Sequence, residues 1–128
     1  MKTTDKNGRQ LPLVYSCSGA SSAAQMTNRI AVKLDRMGIA EMSCIAGVGG
    51  DVTPLVKVAK SRRPIVAVDG CPLKCAVRIL KRHGLQPDKH YESSEMGVKK
   101  IMHEDFDTQE AEGIIHHIAG EIRLWKTR

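Results

Sequence analysis

Aromatic residues are nearly missing from this chain, with one Phe, two Tyr and one Trp among 128 residues. Any core must therefore be aliphatic, built from Val, Ile, Leu, Met and Ala, and little is left to stack on nucleic-acid bases. No apolar run approaches the ~18 residues that a membrane-spanning helix requires. The opening residues, MKTTDKNGRQ, hold no apolar segment of the kind that marks a secretory signal. A cytoplasmic protein without a membrane segment is the expectation that follows. Two familiar motifs are also missing. Cys17 is not followed by the C-x5-R pattern of cysteine phosphatases, because position 23 is Ala, and no Gly-x4-Gly-Lys-Ser/Thr phosphate loop occurs.

What is present describes a soluble globular protein: 41% hydrophobic and 27% charged residues, with no internal linker or low-complexity segment. The length suits one domain. Residues 1–10 read as a polar tail and residues 11–128 as a single domain. The net charge of +6 raises nucleic acid as a partner, but the basic residues are scattered and fit solvated helix faces and helix C-termini. Nucleic acid is disfavoured. The positive balance suits instead a small anionic ligand near the Gly-rich loops.

Strand and helix patterns alternate along the chain. Leu11–Ser16 reads as a first strand. A helix follows from about Ser21 to Met37, with Ala23, Met26, Ile30 and Leu34 on one face, serine caps at its start and Gly38 as its stop. Ile39–Ala46 reads as a second strand and Gly47–Gly50 as a turn. Asp51 or Thr53 is placed to cap a short helix carrying Pro54 in its first turn. Ile65–Val68 is the clearest strand, continuous and mostly β-branched, as expected for burial on both faces of a parallel sheet. Pro72 suits the first position of the next helix, with Leu73, Ala76, Val77 and Leu80 inward and Gly84 closing it. Lys89–Glu92 reads as a fourth strand, and Asp107 with Glu110 opens a long amphipathic helix reaching about Trp125. The expected fold is α/β, a mainly parallel sheet of about four strands between helices in a Rossmann-like three-layer arrangement.

The four cysteines fall on this pattern with a regular beat. Cys44 lies 27 residues after Cys17, Cys71 lies 27 after Cys44, and Cys75 follows 4 later. One strand–helix unit is about that long, so Cys17, Cys44 and Cys71 are expected near the C-terminal ends of successive strands, the edge where α/β ligand sites form. Cys75 is expected one helical turn beyond Cys71 and on the same side. Four cysteines in a cytoplasmic protein point to metal or redox chemistry rather than structural disulfides. Four converging thiolates match a tetrahedral zinc site. The same set suits an iron–sulfur cluster, and Cys17 or Cys75 could serve as a nucleophile or redox thiol with Cys71 resolving it. His90, in the fourth strand, could reach the same edge as a ligand or supporting group. Asp69 could orient backbone amides there or stand as a plain turn residue. His83 fits a helix C-terminus, and the adjacent His116 and His117 point in different directions.

The motifs Asp69-Gly70-Cys71-Pro72-Leu73-Lys74-Cys75-Ala76, Tyr15-Ser16-Cys17-Ser18-Gly19-Ala20-Ser21, Glu41 to Gly50, and Gly97-Val98-Lys99-Lys100 stand in this order. Together they resemble the DGC family, small prokaryotic proteins named for the Asp-Gly-Cys tripeptide and thought to bind zinc. The resemblance covers roughly residues 13–100. It implies Cys17, Cys44, Cys71 and Cys75 as zinc ligands and implies no established reaction. The resulting expectation is one Zn2+ held by four cysteines, with a role in metal or sulfur handling; the alternative is a thiol-dependent redox or sulfur-transfer enzyme.

Overall fold

Uninterrupted β-branched runs belong in the middle of a parallel sheet, where helices cover both faces, and the computed structural model, which describes residues 3–125, places them there. Strands β1 (Leu13–Ser16), β2 (Glu41–Met42), β3 (Ile65–Asp69) and β4 (Lys89–Glu92) form one parallel sheet in the order β2-β1-β3-β4. β3 is buried along its whole length. It pairs with β1 from Leu13–Ile65 to Ser16–Val68 and with β4 from Val66–Lys89 to Asp69–Glu92. The chain is a single α/β domain.

Helices α1 (Ser22–Arg36) and α5 (Thr108–Leu124) cover one face of the sheet. Met26, Ile30 and Leu34 of α1 meet Val14, Val66 and Val68 there, all fully buried. Each such side chain stabilises the fold by about 1.5–3 kcal/mol. The Ser21 hydroxyl accepts from the Ala24 amide at 3.1 Å to start α1, and Gly38, at φ +71°, turns the chain out of it. Asp107 accepts from the amides of Gln109 and Glu110 to start α5. On the other face α2 (Ile45–Gly49), α3 (Thr53–Ala59) and α4 (Cys75–Arg82) lay Val48, Ala59 and Leu80 over Leu13, Tyr15 and Ala67.

Four local expectations are corrected. The second strand is two residues long rather than Ile39–Ala46, and residues 45–49 are helical rather than a turn. Val48 is fully buried and Gly47 packs against Leu55, so burial overrides the weak helix propensity of two glycines. Helix α3 starts from Val52, with neither Asp51 nor Thr53 supplying a capping side chain. Pro72 does not begin α4: residues 71–74 form a turn, Lys74 takes the left-handed conformation at φ +51°, and the helix starts at Cys75. Leu73 is accordingly 58% exposed instead of facing the core.

The N-terminal edge of the sheet is tied by a buried ion pair. The Arg63 guanidinium donates to Glu41 Oε1 at 2.6 Å and, through Nε and Nη2, to the Leu11 carbonyl. It joins the entries to β1, β2 and β3. Ahead of β1, Thr4 and Gln10 pair across a turn, and Arg9 donates to the Ile122, Arg123 and Trp125 carbonyls at the end of α5. The Ile122 carbonyl also accepts from the Trp125 amide at 3.1 Å, and all three lie at the helix end, where intrahelical donors run out. Because an unpaired buried charge is costly, Glu41→Ala should lower stability by ~3–5 kcal/mol in urea titration, whereas a paired apolar replacement, Glu41→Leu with Arg63→Met, should cost far less.

Candidate metal and thiol site

The strand order reverses direction between β1 and β3: the chain leaves β1 over one face toward β2 and leaves β3 over the other toward β4. At such a switch point the two outgoing loops part and open a crevice at the C-terminal edge. Cys17 follows β1 and Cys71 follows β3, so these two thiols flank the crevice. Cys44 follows β2 as the N-terminal cap of α2, its sulfur accepting from the Gly47 amide at 3.3 Å. Cys75 is the first residue of α4. All four are free thiols, with Cys17 buried, Cys71 half-buried, and Cys44 and Cys75 exposed. The fold thus brings the four cysteines to one edge, although Cys71 lies in the turn before α4 and not on the helix with Cys75. Among the described residues, no three His, Cys, Asp or Glu side chains are gathered closely enough to hold a metal ion.

Each thiol has its own surroundings. Cys17 Sγ lies 3.0 Å from Thr27 Oγ1 of α1. That hydroxyl also lies 2.9 Å from the Cys17 carbonyl and 2.8 Å from the Ala24 carbonyl. Either atom can donate across the Cys17–Thr27 contact. Burial pushes the Cys17 thiol up from its ordinary pKa, against the opposing influence of Thr27 and the Gly70 amide. The Lys100 ammonium stands 3.7 Å from Cys71 Sγ. Thr27 and Lys100 were not singled out from the sequence. Thr27 carried a signal, being a polar residue beside the apolar stripe of α1, whereas Lys100 reaches the site through an irregular segment that no periodicity could place.

Asp69, the last residue of β3, is fully buried. Its Oδ1 accepts from the Ala76 amide at 2.9 Å and its Oδ2 from His90 Nε2 of β4, also at 2.9 Å. Of the two roles open to Asp69, orientation of a backbone amide is the one the structure shows. His90 reaches this edge through Asp69. His83 caps the end of α4, its Nε2 at 2.9 Å from the Val48 carbonyl and 3.2 Å from Asp51, on the outer side of the α2–α3 connection. His117 lies edge-on to Tyr91, whose hydroxyl donates to Glu121. Burial and the Glu121 carboxylate push the Tyr91 hydroxyl well above its ordinary pKa.

Among the described residues, the buried side-chain polar atoms without a partner are concentrated at this edge. They belong to Tyr15 and Ser16 at the end of β1, Ser43 after β2, and Glu92 and Ser93 at the end of β4. By contrast, the cavity of about 380 Å³ between the N-terminal arm, α1 and α5 is lined by no cysteine and opens at the other end of the sheet.

A family model, the DGC domain, matches residues 13–118. The chain belongs to the DGC family. The match extends past the motifs quoted above and takes in most of α5, whose apolar face closes one side of the sheet. A Pseudomonas aeruginosa protein of the family, the anaerobic and virulence modulator AnvM, is 57% identical over 102 residues, covering 80% of this chain and 78% of that protein. No solved structure matches this DGC protein. Among the described residues no helix is long and apolar enough to cross a membrane.

Two outcomes follow from the packing of the edge. A Cβ at Gly70 would stand 3.0 Å from the Ala23 carbonyl carbon and oxygen, so Gly70→Ala must push α1 away from β3. A loss of about 1–3 kcal/mol in thermal unfolding is expected, as for other overpacked sites. In alkylation of the metal-free protein, exposed Cys44 and Cys75 should react first, and Cys17 last, its reaction requiring the most alkaline solution.

Proposed function

We propose that this DGC protein binds one zinc ion through Cys17, Cys44, Cys71 and Cys75 and acts as a metal-dependent modulator, with its role in metal or sulfur handling. The observation that carries the reading is the delivery of four reduced thiols, from three separate loops and a helix start, to one edge of one sheet. Four sulfur donors and no disulfide are the donor chemistry of a structural zinc centre. When bound, the ion would supply a cross-link among the loops after β1, β2 and β3. The chain's own residues prepare for it: Asp69 on the Ala76 amide anchors the start of α4, where Cys75 follows the turn holding Cys71, and Gly70 lets α1, whose Thr27 meets Cys17, approach β3. The AnvM name describes that protein as a modulator; carried to this chain, it favours a regulatory centre over a metabolic catalyst. Lys100, beside Cys71, gives the same edge positive charge for a small anionic ligand.

Protein purified without oxygen should carry about one zinc per chain, measured by elemental analysis. Replacing any one of the four cysteines by Ser should lower metal content and melting temperature together. Full zinc and full stability in all four variants would end this reading, and a visible charge-transfer band in place of zinc would assign the site to an iron–sulfur cluster.

A second reading, a thiol-dependent redox or sulfur-transfer enzyme, is favoured by one contact, the Lys100 ammonium beside Cys71. A cation next to a sulfur is an arrangement found at nucleophilic cysteines. On that reading Lys100→Met should slow alkylation of Cys71 in the metal-free protein while leaving Cys44 unchanged; equal rates in both proteins would remove it.

A further inference from the structure

Helix α4 begins without a local cap. Its N-terminal cap residue, Lys74, is left-handed and offers no side-chain hydrogen bond, and its first turn contains no acidic residue. The turn before it is closed by one backbone bond, from the Lys74 amide to the Cys71 carbonyl at 3.1 Å. The missing cap is supplied from the sheet, by Asp69 Oδ1 on the Ala76 amide. Asp69 can do this only while its carboxylate is held in one orientation, and the second hold is His90 Nε2 on Oδ2.

The setting makes that second hold necessary. Asp69 is fully buried, and its register partner across the β3–β4 ladder is another carboxylate, Glu92, itself 7% exposed with Oε1 lacking any partner. Asp69 without His90 would leave one buried oxygen unpaired opposite Glu92 in the ladder. His90, with a side chain 25% exposed, comes from β4 and has no contact of its own with α4 through this bond. It touches the cysteine turn through Asp69.

We propose that His90 is a positioning residue: through Asp69 it sets the first turn of α4, and with it the placement of Cys71 and Cys75. The inference rests on the reading of the four thiols as one site. A donor to a carboxylate that in turn orients a ligand-bearing segment changes metal affinity without being a ligand itself. His90 therefore controls affinity and thiol accessibility, leaving stoichiometry alone.

The test compares full-length wild type with His90→Ala and His90→Gln, the latter restoring an N–H donor, and with His90→Phe, which fills the space and donates nothing. Iodoacetamide labelling of each cysteine in the metal-free, reduced protein is followed by mass spectrometry. Cys71 and Cys75 should label severalfold faster relative to Cys44 in the Ala and Phe variants, and His90→Gln should return the ratio toward wild type. If His90→Ala does not fold, His90→Phe carries the same expectation. In chelator competition the Ala and Phe variants should bind zinc about tenfold more weakly at unchanged stoichiometry. An unchanged labelling ratio, an equal rise at all four cysteines, or failure of His90→Gln to restore the ratio would overturn the proposal. A wild type that takes up no zinc while the labelling ratio shifts as described would instead remove the metal reading and leave the role of His90 standing.

Discussion

The Asp69 carboxylate joins three elements that share no other polar side-chain contact at that point. It ends the most buried strand, caps α4 through the Ala76 amide, and binds His90 of the neighbouring strand. A fully buried carboxylate is costly unless each oxygen is satisfied, so the position of α4 and the β3–β4 register are fixed by the same group. Two of the four cysteines lie within a few residues of this point. Gly70 lets α1 approach, Cys71 opens the turn, and Cys75 begins the helix.

The two edges of the sheet are built on opposite principles. At the N-terminal edge the buried polar groups are fully matched, with Arg63 distributing its hydrogens between Glu41 and the Leu11 carbonyl. At the C-terminal edge, among the described residues, five buried polar atoms on or next to strand ends have no partner, and the four thiols are free. Unmet hydrogen-bonding capacity is expensive for stability, and it is retained where a site needs it. One edge is closed by matched charges, and the other carries the four thiols.

How much of this could be read from residues alone depended on whether a local signal existed. β1 and β3 are marked by apolar runs, α1 and α5 by periodicity with Ser21 and Asp107 as caps, and the cysteine edge by the repeated 27-residue interval, whereas β4, Lys89–Glu92, carries only a weak strand pattern. Ile39, Ile45 and Ala46 look like strand residues and extend the apparent second strand, yet only Glu41 and Met42 pair with β1. Pro72 suits either a first helical turn or the turn before it, and the anchoring of Ala76 to Asp69 decides in favour of the latter.

The partners of the thiols were the least legible feature. Thr27 meets Cys17 across 10 residues and Lys100 meets Cys71 across 29, separations at which no periodic rule connects side chains. By itself the sequence determined the fold class, the strand count and the edge to which Cys17, Cys44, Cys71 and Cys75 are delivered, because these follow from hydrophobic period and unit length. Only the tertiary structure decided which thiol is buried against a hydroxyl, which stands beside an ammonium, and which carboxylate sets the helix start. Those depend on close approach between segments far apart in the chain, and close approach is a property of packing.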